Sequence, residues 1–145
     1  MPMVSVTREI RVAAPAAAVW SVLATPSRQP VVEPRVRLVS EWGEPGTVDS
    51  GYELALRGRP TMRLRVTEAV PGERHVTELE WNGRPRGSQE AHLRGDGSGC
   101  LLTYTMSVEV PRVLRPLQRA YGGRQLGRWL EAVARVSTAL DERPA

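Results

Sequence analysis

The sequence predicts an α+β fold: a seven-stranded antiparallel sheet curved around one long C-terminal helix, with two short helices after the first strand. The two ends of the chain carry this prediction. It opens with an alternating strand, Val4–Val12, that runs through Ala13-Ala14-Pro15 straight into a short helical segment, Ala16–Leu23. It closes with one long amphipathic segment, roughly 112–141, and only strand-like segments and turns lie between. A helix with an apolar stripe has to bury it against another layer, and here the only other layer is the sheet. A loose wrap leaves a cavity, and a cavity suits a small molecule.

The first strand places Val4, Val6, Ile10 and Val12 on one face with period two, interrupted by Arg8. Pro15 stands near the start of the first helix, where its missing N–H is harmless. Val19, Leu23 and Trp20 are expected to bury there. Pro26, Pro30 and Pro34 exclude a long helix or strand between Thr25 and Pro34.

A second strand, about 35–42, would put Val36, Leu38, Ser40 and Trp42 on one face. Glu44-Pro45-Gly46 turns the chain. A third strand, about 48–57, and a fourth, 61–70, are joined by Gly58-Arg59-Pro60. A three-residue loop would pair Leu56 with Met62, Leu54 with Leu64 and Tyr52 with Val66, so apolar meets apolar. Tyr52 then points inward, and Ser50 and Glu68 meet on that inner face. The fifth strand, 74–81, and the sixth, running to Arg94, flank Asn82-Gly83, the strongest hairpin signal in the chain. That turn pairs Trp81 with Arg84 and, further out, His75 with Glu90.

After the loop Gly95–Gly99, the seventh strand, Cys100–Val110, carries Leu102, Tyr104, Met106, Val108 and Val110 on one face. Leu126, Leu130, Val133, Ser137 and Leu140 form the stripe of the last helix, widened by Trp129 and Val136. Pro116 starts its regular part near Arg115, and Gly122-Gly123 predicts a bend or loosened turn. No repeat, linker or composition change divides residues 1–145, so one domain is expected.

Composition excludes several function classes. All 20 cationic residues are arginine, and the absence of lysine removes Schiff-base catalysis and the P-loop lysine together. The net charge of +4 is modest and no reading motif is present, so no nucleic-acid partner is expected. A single cysteine, Cys100, rules out an internal disulfide, and two histidines without ligand spacing argue against a metal. No glycine-rich loop follows a strand and opens a helix, so no nucleotide cofactor, and no cofactor at all, is expected. No apolar run approaches the roughly 18 residues of a membrane span, so stable membrane insertion is not expected. The start of the chain lacks the charged-then-apolar signal pattern, which reads as a cytoplasmic location.

Three stretches carry a family resemblance. They are the opening strand followed by Ala14-Pro15-Ala16-Ala17-Ala18-Val19-Trp20; Pro30-Val31-Val32-Glu33-Pro34-Arg35-Val36 followed by Asp49-Ser50-Gly51-Tyr52; and Gly99-Cys100-Leu101-Leu102-Thr103-Tyr104 before the long helix. In order and spacing the chain resembles the START-like, or SRPBCC, helix-grip superfamily, and within it the polyketide cyclase/dehydrase and lipid-transport group. The resemblance implies the Bet v 1/START-like helix-grip fold and an internal ligand cavity. Val32 stands where many members carry Trp, and Cys100 where Thr is usual.

The candidate ligand wall is Trp20, Trp42, Tyr52, Leu54, Leu64, Tyr104 and Met106 with Leu126 and Leu130 of the helix stripe. The tyrosine hydroxyls are suited to a ligand carbonyl. Candidate catalytic residues are His75 and Glu90, as a cross-strand acid–base pair, and Glu68, a polar residue on an apolar face. Residue parity leaves open which face of strands five and six is inner. Leu79 and Trp81 favour the His75 face, whereas Val76, Ala91 and Leu93 favour the other, and a bulge would reconcile them.

The expected function is binding of a hydrophobic, aromatic or polyketide-like small molecule. The alternative is a cyclase/dehydratase or isomerase working through Tyr, Arg, His or Glu without metal or nucleotide. A further alternative is a protein-interaction module without a usable cavity. The oligomeric state is left open.

Overall fold

A computed structural model describes residues 3–142. β1 (Met3–Val12) and β2 (Val36–Trp42) sit at opposite edges of the sheet. Between them α1 (Ala16–Ala24), a 3-10 turn (Pro26–Arg28) and α2 (Gln29–Val32) carry the chain across, in short pieces as the prolines require. The chain then meanders through β3 (Gly51–Leu56), β4 (Met62–Val70), β5 (Arg74–Trp81), β6 (Arg84–Asp96) and β7 (Gly99–Glu109). Every pairing is antiparallel, β7 closes on β1, and the order of the seven strands is β1-β7-β6-β5-β4-β3-β2. A 3-10 turn (Arg112–Leu114) leads into α3 (Arg115–Glu142), 28 residues long, which the curved sheet wraps.

Local chemistry sets these turns. Asn82 at φ 51° and Gly83 at φ 73° are both left-handed, the geometry of a tight hairpin whose twist matches its strands, and Trp81 pairs with Arg84 as the sequence predicts. The β6–β7 connection is tighter than the sequence suggested, with Asp96 paired to Gly99 across Gly97 at φ 72°.

The core has two parts. The larger joins inward residues of β1, β6 and β7, including Val12, Leu93, Leu102 and Tyr104, to Val19 and Val22 of α1 and to Leu126, Leu130 and Val133 of α3. The smaller comprises Tyr52, Leu54, Leu64 and Leu79 on β3–β5, with no buried member from a helix. α3 lies mainly against β1 and α1 rather than against β3, β4 or β5.

Several expected alignments differ. The β3–β4 hairpin pairs Leu54 with Met62 and Tyr52 with Leu64, two residues away from the expected register. The turn closes early, with the Arg59 N–H donating to the Leu56 carbonyl, and Pro60 has no N–H to extend the ladder. A two-residue slip keeps every side chain on its expected face.

Three bulges matter more, because each adds one residue and reverses the faces beyond it. In β2 the extra residue is Val39, so Leu38 opposes Leu54 on the inner face while Trp42 lies on the outer one. There the indole covers Gly51, where a Cβ would collide with the ring and with the Leu64 carbonyl. In β4 the extra residue is Thr67, which turns Glu68 outward instead of toward Ser50. In β6 it is Arg86, which places Ala91, not Glu90, opposite His75.

α3 runs as unbroken α-helix through Gly122-Gly123, without the expected loosened turn. Gly123 is buried because the Arg8 guanidinium, on the inner face of β1, passes against it; a Cβ there would collide with Arg8 Nη2.

Candidate functional site

Where α3 leaves the sheet, a cavity of about 210 Å³ opens between α3 and the inner faces of β3, β4, β6 and β7. Leu54, Met62, Leu64, Met106, Leu126 and Trp129 make its apolar wall. A second cavity of about 420 Å³ adjoins it across Val36, Leu54 and Met62, which line both, and reaches the Arg59-Pro60 turn, Trp81-Asn82 and Pro111. Each mouth is partly open, and together the two reach the ~300–1,000 Å³ typical of small-molecule sites.

The polar groups of the first cavity are neutral amides and phenols, apart from one charged pair. The Tyr104 hydroxyl donates to Gln89 Oε1 at 3.0 Å, and Thr77 Oγ1 donates to the same oxygen at 3.5 Å. Tyr104 also stacks at a tilt on Trp129, with ring centroids 4.8 Å apart. Tyr52 is buried on the next wall, and its hydroxyl has no hydrogen-bond partner among the described residues. Burial pushes Tyr52 up from its ordinary value, and burial plus the neighbouring Tyr52 pushes Tyr104 well up. Both therefore remain neutral phenols that can donate a hydrogen bond.

Gln29, Gln118 and Gln125 complete the polar lining, and Glu33 with Arg35 stands among them at the mouth. Arg35 binds both carboxylate oxygens of Glu33, at 2.8 and 3.1 Å, and its backbone N–H adds a third contact at 3.0 Å. The Arg35 hydrogen bond holds the Glu33 carboxyl below its usual range.

Of the wall expected from the sequence, Tyr52, Leu54, Leu64, Tyr104, Met106 and Leu126 converge on this cavity. Trp20, Trp42 and Leu130 do not. Trp20 packs edge-on against His75, with centroids 5.4 Å apart, Trp42 stacks under Arg63 on the outer face, and Leu130 is sealed in the larger core.

The candidate acid–base residues are also separated. His75 is buried and inward-facing, and burial lowers it to about 4, so it is neutral near neutral pH. Glu90 faces outward, accepting from Arg74 Nη2 at 2.6 Å, with His92 Nε2 at 2.7 Å from the same oxygen. Glu68 joins that outer cluster, 3.2 Å from Arg74 Nε. Among the described residues no group of three His, Cys, Asp or Glu is placed to hold a metal ion, and no helix is long and apolar enough to cross a membrane.

Sequence reasoning missed the glutamines. Gln118 and Gln125, seven apart, share a helix face, a signal that was available. Gln89 faces inward only because of the Arg86 bulge, and the conflicting apolar positions on strands five and six were its trace.

Known structures share this architecture. DynU16, a protein in the dynemicin biosynthetic locus, is 18% identical over 97% of this chain with a TM-score of 0.71, and this chain spans only 49% of DynU16. Norcoclaurine synthase from Thalictrum flavum, solved with dopamine and hydroxybenzaldehyde, is 15% identical over 99% of this chain and 90% of its own, with a TM-score of 0.72. CalU16 from Micromonospora echinospora is 20% identical over 95% of this chain and 83% of its own, with a TM-score of 0.62. No curated protein matches the chain in sequence. The family model described as polyketide cyclase / dehydrase and lipid transport matches residues 3–142, nearly the whole wrapped-helix unit described above, and the chain belongs to that family.

Proposed function

We propose that this protein binds a hydrophobic small molecule, with an aromatic or polyketide-like skeleton and at least one carbonyl or phenol oxygen, in the cavity between α3 and β3–β4. The observation that carries this reading is Tyr52: its side chain is buried, its neutral hydroxyl has no hydrogen-bond partner among the described residues, and it stands beside the Tyr104–Gln89 pair in a chamber with an apolar wall. A ligand oxygen in the cavity would give this free donor a hydrogen bond. A norcoclaurine synthase of the same fold holds dopamine and hydroxybenzaldehyde, which is in keeping with an aromatic occupant.

Binding is favoured over cyclisation because the cavity's wall offers no free acid–base pair. Glu33 is engaged by Arg35, the tyrosines stay protonated, and His75 and Glu90 lie on opposite faces of the sheet. A cyclase reading keeps one specific support: Tyr52 could polarise a carbonyl as its enolate forms. The cavity itself argues against an interaction module that lacks one.

Trp129 lines the chamber and reports on it. Titration with a planar aromatic ketone should quench its fluorescence saturably. Tyr52→Phe should weaken that binding about three- to tenfold, matching the ~0.5–1.5 kcal/mol of one hydrogen bond. Quenching that is absent, or unaltered in Tyr52→Phe, would remove this reading. Steady turnover of a polyketone substrate that Tyr52→Phe abolishes would favour the cyclase instead.

A further inference from the structure

Four of the nine exposed large apolar side chains among the described residues fall within nine consecutive positions at the start of α3. They are Val113 at 83% exposure, Leu114 at 45%, Leu117 at 66% and Tyr121 at 58%. Leu117 and Tyr121, four apart, share one helix face, and the 3-10 turn before the helix adds the other two. On the adjoining face of the same turns, Gln118, Gly122 and Gln125 line the first cavity, and Gln125 Nε2 donates to the Tyr121 hydroxyl at 3.0 Å. Glu109 and Pro111, just before, line the second.

The charge of this segment is one-sided. Between Glu109 and Glu131 the chain holds five arginines, Arg112, Arg115, Arg119, Arg124 and Arg128, and no acidic residue. None of the five forms an ion pair among the described residues. A further arginine, Arg35, sits beside Tyr121 and has Glu33 as its partner.

Apolar side chains flanked by unpaired arginines are the surface an interfacial helix presents to anionic lipid. A second copy of this chain meeting it across a two-fold contact would set five arginines against five, with no acidic residue between positions 109 and 131 to meet them. A bilayer supplies the opposite charge and yields around a convex row of side chains without needing a matching groove. We propose that the start of α3 is a docking surface for an anionic lipid bilayer, with Val113, Leu117 and Tyr121 seated among the headgroups and the arginines on the phosphates. Docking in this way brings the walls of both cavities to the membrane, the side from which an apolar ligand would arrive or leave. The contact is peripheral, since α3 is not apolar enough to span.

The test is vesicle flotation with purified protein. Vesicles of phosphatidylcholine containing about one-third phosphatidylglycerol should bind the protein at least about tenfold more tightly than pure phosphatidylcholine at low salt, and less as salt rises. Val113→Asp with Leu117→Asp should reduce the partition about tenfold or more. Its melting midpoint should be unchanged, because both side chains are exposed. Arg112→Gln with Arg119→Gln should erase the preference for phosphatidylglycerol. No partition onto the anionic vesicles overturns the proposal, and so does partition that the aspartate pair leaves intact in a folded variant. If poly-L-glutamate displaces the protein from vesicles at matched charge and the aspartate pair does not change that competition, the surface serves an acidic polypeptide and the bilayer reading fails. None of these arms depends on the cavity ligand.

Discussion

Against β1 and the Cys100–Leu102 end of β7 the inward side chains of the sheet meet α1 and α3 and are sealed; against β3 and β4 side chains of the same kind line a cavity. Leu102 and Leu64, equally apolar and equally buried, illustrate the difference: one touches helix side chains, the other lines a chamber. The sealed half is mostly apolar, with His75 and Ser137 as buried polar exceptions, whereas the open half collects Tyr52, Gln89 and the helix glutamines. One long helix cannot cover both halves of a seven-stranded curved sheet. Where it covers, the fold gains its stability; where it does not, polar side chains can be left with unused hydrogen-bonding capacity for a ligand.

Truncation should separate the halves most strongly. Leu130→Ala removes a side chain sealed between α3 and the sheet and should cost about 2–5 kcal/mol. Leu54→Ala enlarges space that already exists and should cost clearly less, by chemical denaturation of both variants. Equal losses would mean that the open half is as tightly packed as the other.

Acid should find the sealed half next. His75 lies at about 4 in the folded protein against about 6.5 unfolded. As pH falls from about 6.5 to about 4, the unfolded chain takes up a proton that the folded one refuses, so stability drops, by up to roughly 3 kcal/mol. It is fully retained above that window. His75→Gln should flatten this part of the pH–stability curve, and an unchanged slope would place His75 in water.

Hydroxyl removal should sharpen the contrast within the cavity. Tyr104→Phe takes a donor from Gln89 and should cost about 0.5–1.5 kcal/mol of stability. Tyr52→Phe breaks no hydrogen bond, so its melting midpoint should not fall even where ligand affinity does. A small gain is expected at Gly122→Ala. The added Cβ approaches only the end of the Gln118 side chain, at 3.2 Å. Helix propensity should then add about 0.5–1 kcal/mol of stability, while the methyl trims the cavity and weakens bulky ligands.

The fold was legible because hydrophobic period, proline placement and the Asn82-Gly83 turn agree with one another. Six of the nine expected wall residues converge on one chamber for the same reason, since Tyr52, Leu54 and Leu64 sit on stretches of unbroken alternation. Three of the errors share one cause. Val39, Thr67 and Arg86 each insert a residue without altering composition, and Trp42, Glu68 and the His75–Glu90 pairing lie beyond them. A bulge is set by strand twist and by neighbours that parity does not see. Cys100, read from the sequence only as excluding a disulfide, is fully buried with its thiol pushed up by burial, and so chemically quiet.

The closure of β1 on β7 has a consequence for how the chain reaches this state. Met3 pairs with Glu109, so the strand made first waits for almost the last strand before it can bond. The meander from β2 to β7 needs only local loops, whereas the β1–β7 seam and the docking of α3 on β1 close most of the chain into a single loop. The meander should therefore order first and the seam last. Val6→Ala in β1 should then speed unfolding while leaving the refolding rate nearly unchanged, and Leu79→Ala in β5 should slow refolding.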